Sequence, residues 1–297
     1  MRFADGMEEA IRLAERLVDQ AEAEAFWAEG APAVPAEDLA FPGGEGQPQR
    51  ARLYRGGDAG RPTLLYIHGG GWSGGSIELN DWAARSIAEG GRCNVLSVSY
   101  RLAPQHPYPA GLEDCLAACD WLEGAHAALG LSAQPFAIGG ASAGANLALA
   151  AALARGGAGL SGLVLFYGVF GADLDTASYA RYAAGPSLTQ ARMASLFAMC
   201  DPEERRHHDP LVTPLLSDSL GCLPDCCLIA AEHDVLLDDS RAMAEALRAA
   251  GVRAALHVEP GVTHGFINRG RLVPAANASL ARAAAFVAAL TAPETPA

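Results

Sequence analysis

The chain has 297 residues, 51% of them hydrophobic, and a formal net charge of −13. This composition supports a large core and argues against disorder, and the acidity disfavours nucleic acid and anionic membrane surfaces as partners. All 21 residues counted as Lys+Arg are arginines, which excludes a Schiff-base lysine and a P-loop lysine.

The first 30 residues are predicted helical, with Met7, Ile11, Ala14 and Val18 on one face and Glu8, Glu9, Glu15 and Asp19 on others. Acids stand where a signal peptide needs an apolar stretch, so no export signal is expected and the protein is expected to be soluble and cytoplasmic. Residues 31–49, rich in Pro, Gly and Ala, are predicted to be a connector. From about residue 50 strands and helices alternate. Strands are predicted at Ala51–Tyr54, Thr63–His68, Cys93–Ser99, Phe136–Gly139, Gly162–Tyr167, Cys227–Glu232 and Arg253–Val258. Helices are predicted at Asp81–Glu89, Leu112–Leu129, Ala143–Arg155, Asp238–Ala250 and Asn277–Leu290. Most of the strands are apolar on both faces, as a parallel sheet covered by helices requires, and the alternation predicts a doubly wound α/β fold.

The uncharged run Phe136–Ala154 is long enough to span a membrane. Its Gly139, Gly140, Gly144 and Asn146 instead favour a buried strand running into a buried helix. Residues 172–215 lack a strand; they carry a helical patch, Thr189–Met199, and then the charged run DPEERRHHDP, whose His207 and His208 are expected to face solvent. The chain is read as a single domain, 1–297, with cap elements at about 1–45 and 172–215 that form a lid. The seven cysteines, several in apolar runs, are expected to be buried reduced thiols. Cys115 and Cys119 lie four apart with no second pair, so no zinc site is expected, nor any other metal or cofactor.

The strongest chemical signal is Gly140-Ala141-Ser142-Ala143-Gly144, which follows an apolar strand and opens an Ala-rich helix. A serine on a sharp strand-to-helix turn needs small residues two before and two after it, and Gly140 and Gly144 meet that need. A second signal, His68-Gly69-Gly70-Gly71-Trp72, ends an upstream strand. Its glycines free backbone N–H groups to approach a ligand and bind an oxyanion. A nucleophilic serine needs a base and an orienting acid, in the order Ser, Asp or Glu, His. Asp234 and His264 follow Ser142 in that order, each just beyond a predicted strand. Asp238 and Asp239 are expected to stabilise the start of the next helix. His126, His207, His208, His233 and His257 have less suitable places. Trp72, Tyr108 and Phe266, in or beside these loops, are candidates for lining a substrate pocket.

These motifs, together with the Tyr100–Ala110 segment YRLAPQHPYPA, GASAGANLA at 140–148, Asp234-Val235-Leu236-Leu237-Asp238 and His264-Gly265-Phe266, resemble in order the bacterial hormone-sensitive-lipase-like carboxylesterases. The resemblance covers roughly residues 60–290. It implies an α/β-hydrolase fold with a mostly parallel sheet, helices on both faces and a helical cap. It implies a Ser142–Asp234–His264 triad and an oxyanion hole formed by the N–H groups of Gly70, Gly71 and Ala143. Two positions depart from the family pattern: Ala141 stands where Asp or Thr is usual, and Gln105 where Glu is usual. Both are expected to remove polar groups near the site.

The expected activity is hydrolysis of short-chain carboxylic esters through an acyl-enzyme, with a small-molecule ester as partner and a monomer or homodimer as the assembly. An amidase such as an arylformamidase would use the same triad. His264 counts against a third reading, a non-catalytic ligand-binding protein of this fold.

Overall fold

In the computed structural model, which describes residues 1–133 and 135–290, eight strands form one sheet. They are β1 (Ala36–Pro42), β2 (Pro48–Arg55), β3 (Thr63–Ile67), β4 (Asn94–Val98), β5 (Phe136–Ala141), β6 (Leu160–Phe166), β7 (Cys226–His233) and β8 (Ala254–Thr263). Their order is β1-β2-β4-β3-β5-β6-β7-β8. β1 and β2 pair antiparallel, as do β2 and β4; every other neighbouring pair is parallel. The central strands β3, β4 and β5 are buried at every residue, because helices cover both of their faces.

The helices are α1 (Met7–Arg16), α2 (Gln20–Ala28), α3 (Asp81–Gly91), α4 (Ala110–Ala125), α5 (Ala143–Ala154), α6 (Ala177–Tyr182), α7 (Gln190–Cys200), α8 (Leu237–Ala249) and α9 (Pro274–Ala289). The period-2 alternation of strand side chains splits the core in two. Leu65 and Ile67 of β3 face the cluster built by α4, α5 and α8. Leu64 and Tyr66 face the cluster built by α3 and α9, which also receives Met7 of α1 and Trp27 of α2.

The α/β architecture and the predicted strands and helices are present. The predicted membrane-length run divides into β5 and α5, and among the described residues no helix is long and apolar enough to cross a membrane.

Two expectations are corrected. The predicted connector over 31–49 contains β1 and the start of β2, so the sheet begins inside the segment assigned to the N-terminal cap, whose helical part ends at Ala28. The N-terminal helix is two helices. Val18 lies past the end of α1 and is 89% exposed, because Asp19 caps α2 by accepting the Glu22 N–H at 2.9 Å. In the charged run His207 and His208 are exposed, as expected, while Asp201 is buried and accepts the N–H groups of Arg205 and Arg206 at 2.9 and 2.8 Å.

Candidate active site

Ser142 sits between β5 and α5 with φ 57° and ψ −119°, a conformation that residues with a side chain rarely adopt. Crossing chains enforce the turn. A Cβ on either Gly140 or Gly144 would overlap the Ile67 carbonyl oxygen, since β3 and β5 pair at Ile67 and Gly140. The Ser142 N–H donates to Phe166 O at 2.9 Å, which ties the turn to β6. The Ser142 carbonyl accepts from the N–H groups of Ala145 and Asn146 at 3.0 and 3.1 Å. The helix therefore starts at the serine, and the free N–H groups of its first turn put a positive dipole end there.

β7 and β8 are parallel neighbours, and their last paired residues are His233 and Thr263. The next residue on each strand is Asp234 and His264, so the register alone brings these two side by side. His264 Nδ1 lies 2.6 Å from Asp234 Oδ2, and His264 Nε2 lies 2.9 Å from Ser142 Oγ. With the Nδ1 proton donated to the carboxylate, Nε2 is left to accept from the serine hydroxyl. The Asp234 side chain is fully buried and its Oδ1 accepts the Leu236 N–H at 3.1 Å. The ring of Tyr167 flanks His264 at 4.7 Å, and Ser187 Oγ donates to the His264 carbonyl at 2.9 Å.

Gly69, Gly70 and Gly71 line the same cavity as Ser142 and His264. Gly70 and Gly71 have φ of 132° and 62°, which glycine adopts without a Cβ penalty. His68 anchors the loop from below. It is buried, stacks on Tyr100 at 4.5 Å, and donates from Nδ1 to Gly69 O at 2.8 Å. Burial pushes its imidazole down to about 4, so it is neutral at ordinary pH.

A family model described as alpha/beta hydrolase fold matches residues 64–268, a span that holds the elbow, the glycine loop, Asp234 and His264. The carboxylesterase NlhH of Mycobacterium tuberculosis is 41% identical over 221 residues, which is 72% of this chain and 69% of that protein. The chain belongs to the bacterial hormone-sensitive-lipase-like carboxylesterases. Another relative, the ethyl acetate hydrolase of Pseudomonas putida, is 35% identical over 222 residues, covering 73% of this chain and 70% of its own. Among solved structures, a hyperthermophilic esterase from Pyrobaculum calidifontis superposes with a TM-score of 0.87 at 31% identity, covering 97% of this chain and 98% of that one.

The cavity at Ser142 measures about 390 Å³, within the usual range for small-molecule sites. None of the three predicted pocket residues lines it. Phe266 is fully buried against Tyr167, with ring centroids 5.7 Å apart. Trp72 and Tyr108 line a separate small cavity of about 20 Å³, together with Phe197 and Leu147. Trp72 is carried there by a backbone φ of 57°, and its indole N–H donates to Asn146 Oδ1 at 3.3 Å. Tyr108 is held by its hydroxyl bond to Asp209 Oδ2 at 2.9 Å. Of the two departures from this carboxylesterase family's pattern, Ala141 lines the Ser142 cavity, whereas Gln105 is exposed and lines neither cavity, so it removes no polar group there.

The walls that sequence reasoning missed come from four places. Gly75, Leu79 and Asn80 lie beyond the glycine loop, Tyr167 follows β6, Asn268 and Arg269 follow His264, and Ser187, Leu188, Arg192 and Leu196 come from the 172–215 insertion. Only the insertion carried a prior signal, as an expected lid.

The competing groups have other partners. His233 Nε2 donates to Arg2 O at 2.9 Å, His126 Nδ1 donates to Glu123 O at 2.8 Å, and His207, His208 and His257 are exposed. Asp238 and Asp239 occupy the first turn of α8, as expected; Asp238 also reaches the insertion, and Asp239 the chain just before it. Asp238 Oδ2 accepts the Ser178 N–H at 2.7 Å, and Asp239 Oδ2 accepts from Phe170 and Gly171 at 2.9 and 2.8 Å.

Proposed function

We propose that this protein is a serine carboxylesterase of short-chain esters in which Ser142 is the nucleophile, His264 the base and Asp234 the orienting acid. The observation that carries the reading is the continuous run of contacts, 2.9 Å from Ser142 Oγ to His264 Nε2 and 2.6 Å from His264 Nδ1 to Asp234 Oδ2. His264 takes the Ser142 proton as Oγ attacks the ester carbonyl. The N–H groups of Gly70, Gly71 and Ala143 receive the developing oxyanion. His264 then gives its proton to the leaving alcohol oxygen as the C–O bond breaks, leaving an acyl-serine. A water, deprotonated by His264, attacks that acyl group and returns Ser142. Asp234 keeps the imidazole in the productive tautomer and stabilises the imidazolium.

In this reading the N-terminal helices and the 172–215 insertion act as a cap over the cavity, supported by Arg192 and Leu196 standing in its wall. A cytoplasmic location fits six buried thiols and one exposed thiol, all free. The preference for short acyl groups is supported by the modest cavity and by relatives named for ethyl acetate and acetyl ester hydrolysis.

The test is kcat/KM across 4-nitrophenyl esters from acetate to palmitate, beside a matched anilide and formanilide. A maximum at roughly two to six acyl carbons is expected, since each methylene left unburied forgoes about 0.8 kcal/mol. Faster turnover of the formanilide would transfer the same triad to an amidase.

A further inference from the structure

The cavity at Ser142 is electrostatically unlike the rest of the chain. The protein carries 34 acidic residues against 21 arginines, yet the cavity wall holds Arg192 and Arg269 and no Asp or Glu. Asp234 stands behind His264 and is already bonded to it. Position 141, on the same wall, is an alanine and offers no carboxylate.

Arg269 is the unusual member. It is partly buried, and among the described residues neither it nor Arg192 has an ion pair or a side-chain hydrogen bond to a carboxylate. The other arginines of comparable burial do, as in Arg52 with Asp38, Arg85 with Asp81, Arg101 with Asp114 and Arg155 with Asp120. Arg269 instead lies over the Trp27 ring at 3.9 Å. That contact holds the guanidinium against α2 in the wall of the cavity, and among the described residues its side chain makes no hydrogen bond. Burial without a counter-charge lowers its affinity for its proton, to about 10, which is the signature of a cation in need of an anion.

We propose that Arg269, assisted by Arg192, forms a carboxylate-binding subsite in the Ser142 cavity, so that the preferred substrates are small esters that themselves carry a carboxylate. This deepens the esterase reading and rests on it. A guanidinium held flat and unpaired in a partly dehydrated cavity binds a planar carboxylate through two parallel N–H bonds. The overall negative field of the protein makes such selectivity depend on this local cluster.

The experiment compares matched anionic and neutral esters. On the acyl side these are the 4-nitrophenyl monoester of glutaric acid and that of glutaramic acid; on the alcohol side, 4-acetoxybenzoate and 4-acetoxybenzamide. In the native protein the anionic member is expected to have the higher kcat/KM by at least about tenfold in one of the two pairs. The advantage should shrink in 0.5 M salt, here roughly a 4 Å screening length. In Arg269→Gln, and further in the Arg192→Gln, Arg269→Gln double variant, the ratio is expected to fall towards one, whatever happens to the neutral ester. A native ratio near or below one in both pairs overturns the subsite, and so does a ratio that survives in a folded double variant. Should the variants not fold, inhibition of the native enzyme by glutarate but not by glutaramide supports the subsite, and equal inhibition overturns it. Turnover of no ester, neutral or anionic, removes the esterase reading itself and the subsite with it, whereas normal turnover of the neutral esters alone removes only the subsite.

Discussion

The guanidinium of Arg101 and the carboxylate of Asp114 meet in the interior, with Nε 3.0 Å from Oδ2 and both side chains buried. Asp114 is also where the β1–β2 hairpin is fastened to the body. It accepts the N–H of Gly44 at 2.8 Å and the side-chain amides of Gln47 and Gln49 at 2.8 and 3.1 Å. The Arg101 N–H donates to it as well, at 2.8 Å. The YRLAPQHPYPA segment thus carries a structural ion pair beside a site loop. Removing Asp114 unfastens the hairpin and leaves the buried Arg101 only its more exposed partners Glu45 and Glu113, at 2.7 and 2.9 Å, so the cost is at most about 3–5 kcal/mol. Asp114→Ala is therefore expected to lower the urea midpoint sharply, while kcat/KM measured well below the melting range stays near the native value. A loss of activity with an unchanged midpoint would mean that Asp114 acts on the site.

Two buried groups give the stability a pH dependence of opposite signs. Burial lowers the His68 imidazole from 6.5 to about 4. Between those values the unfolded chain binds a proton that the folded chain refuses, so stability falls as pH falls. Burial raises the Asp239 carboxyl from 3.8 to about 6, against the pull of its two backbone N–H bonds. There the folded chain keeps a proton that the unfolded chain has released, so stability rises as pH falls. Between about pH 4 and 6 the two contributions oppose each other. Asp239→Asn removes the second. Its stability relative to the native protein is expected to climb by about 3 kcal/mol from pH 4 to 6 and to stay level above that. Denaturation curves of the two proteins at pH 4, 5, 6 and 8 check this; a constant difference across the series would contradict it.

The proposed triad makes a graded prediction. Ser142→Ala removes the nucleophile and fits the same turn, so turnover should vanish with little change in melting. Asp234→Asn leaves the geometry and spoils the tautomer, a change that costs about 10⁴ in a well-studied protease. Asp238→Asn should be mild, because Asp238 bonds Ser178 and Arg241 and not His264. Initial rates on 4-nitrophenyl butyrate decide the order, and an Asp238 variant worse than the Asp234 variant would reassign the acid.

What the sequence made legible was whatever depends on chain order and strand ends. Ser142, Asp234 and His264 each follow a strand directly, so finding the strands was enough to bring the three together. The β1 strand was hidden because Pro35, Gly43 and Gly44 flank it and Pro42 ends it, and because its burial pattern is mostly exposed, as befits an edge. The break between α1 and α2 did have a signal, an acid at Asp19 followed three residues later by Glu22, which reads as a helix start. Pocket walls were the least legible. Trp72 was predicted into the site by its neighbourhood, but a positive φ turned it to the other side of the loop. Arg269 reaches the site through a turn of chain beyond His264, which no spacing reveals.

The two glycines around Ser142 allow a test of why the elbow is shaped as it is. At Gly144 an added Cβ would overlap the Ile67 carbonyl oxygen and lie 2.5 Å from that of His68. Both are backbone atoms, and Ile67 belongs to a fully buried strand, so neither can step aside as a side chain would. Gly144→Ala must therefore push α5 away from β3, and the serine moves with the start of the helix. Both activity and stability should fall, the latter by about 1–3 kcal/mol as for overpacking in a core. Gly124 is the control. It lies near the exposed end of α4, with nothing within 4 Å of an added Cβ. Gly124→Ala should leave turnover alone and raise stability by up to about 0.5–1 kcal/mol, from the lower chain entropy of the unfolded state. If Gly144→Ala kept native kcat/KM and melting temperature, the strands would be more yielding than their burial implies, and steric demand would not be the reason for glycine at that position.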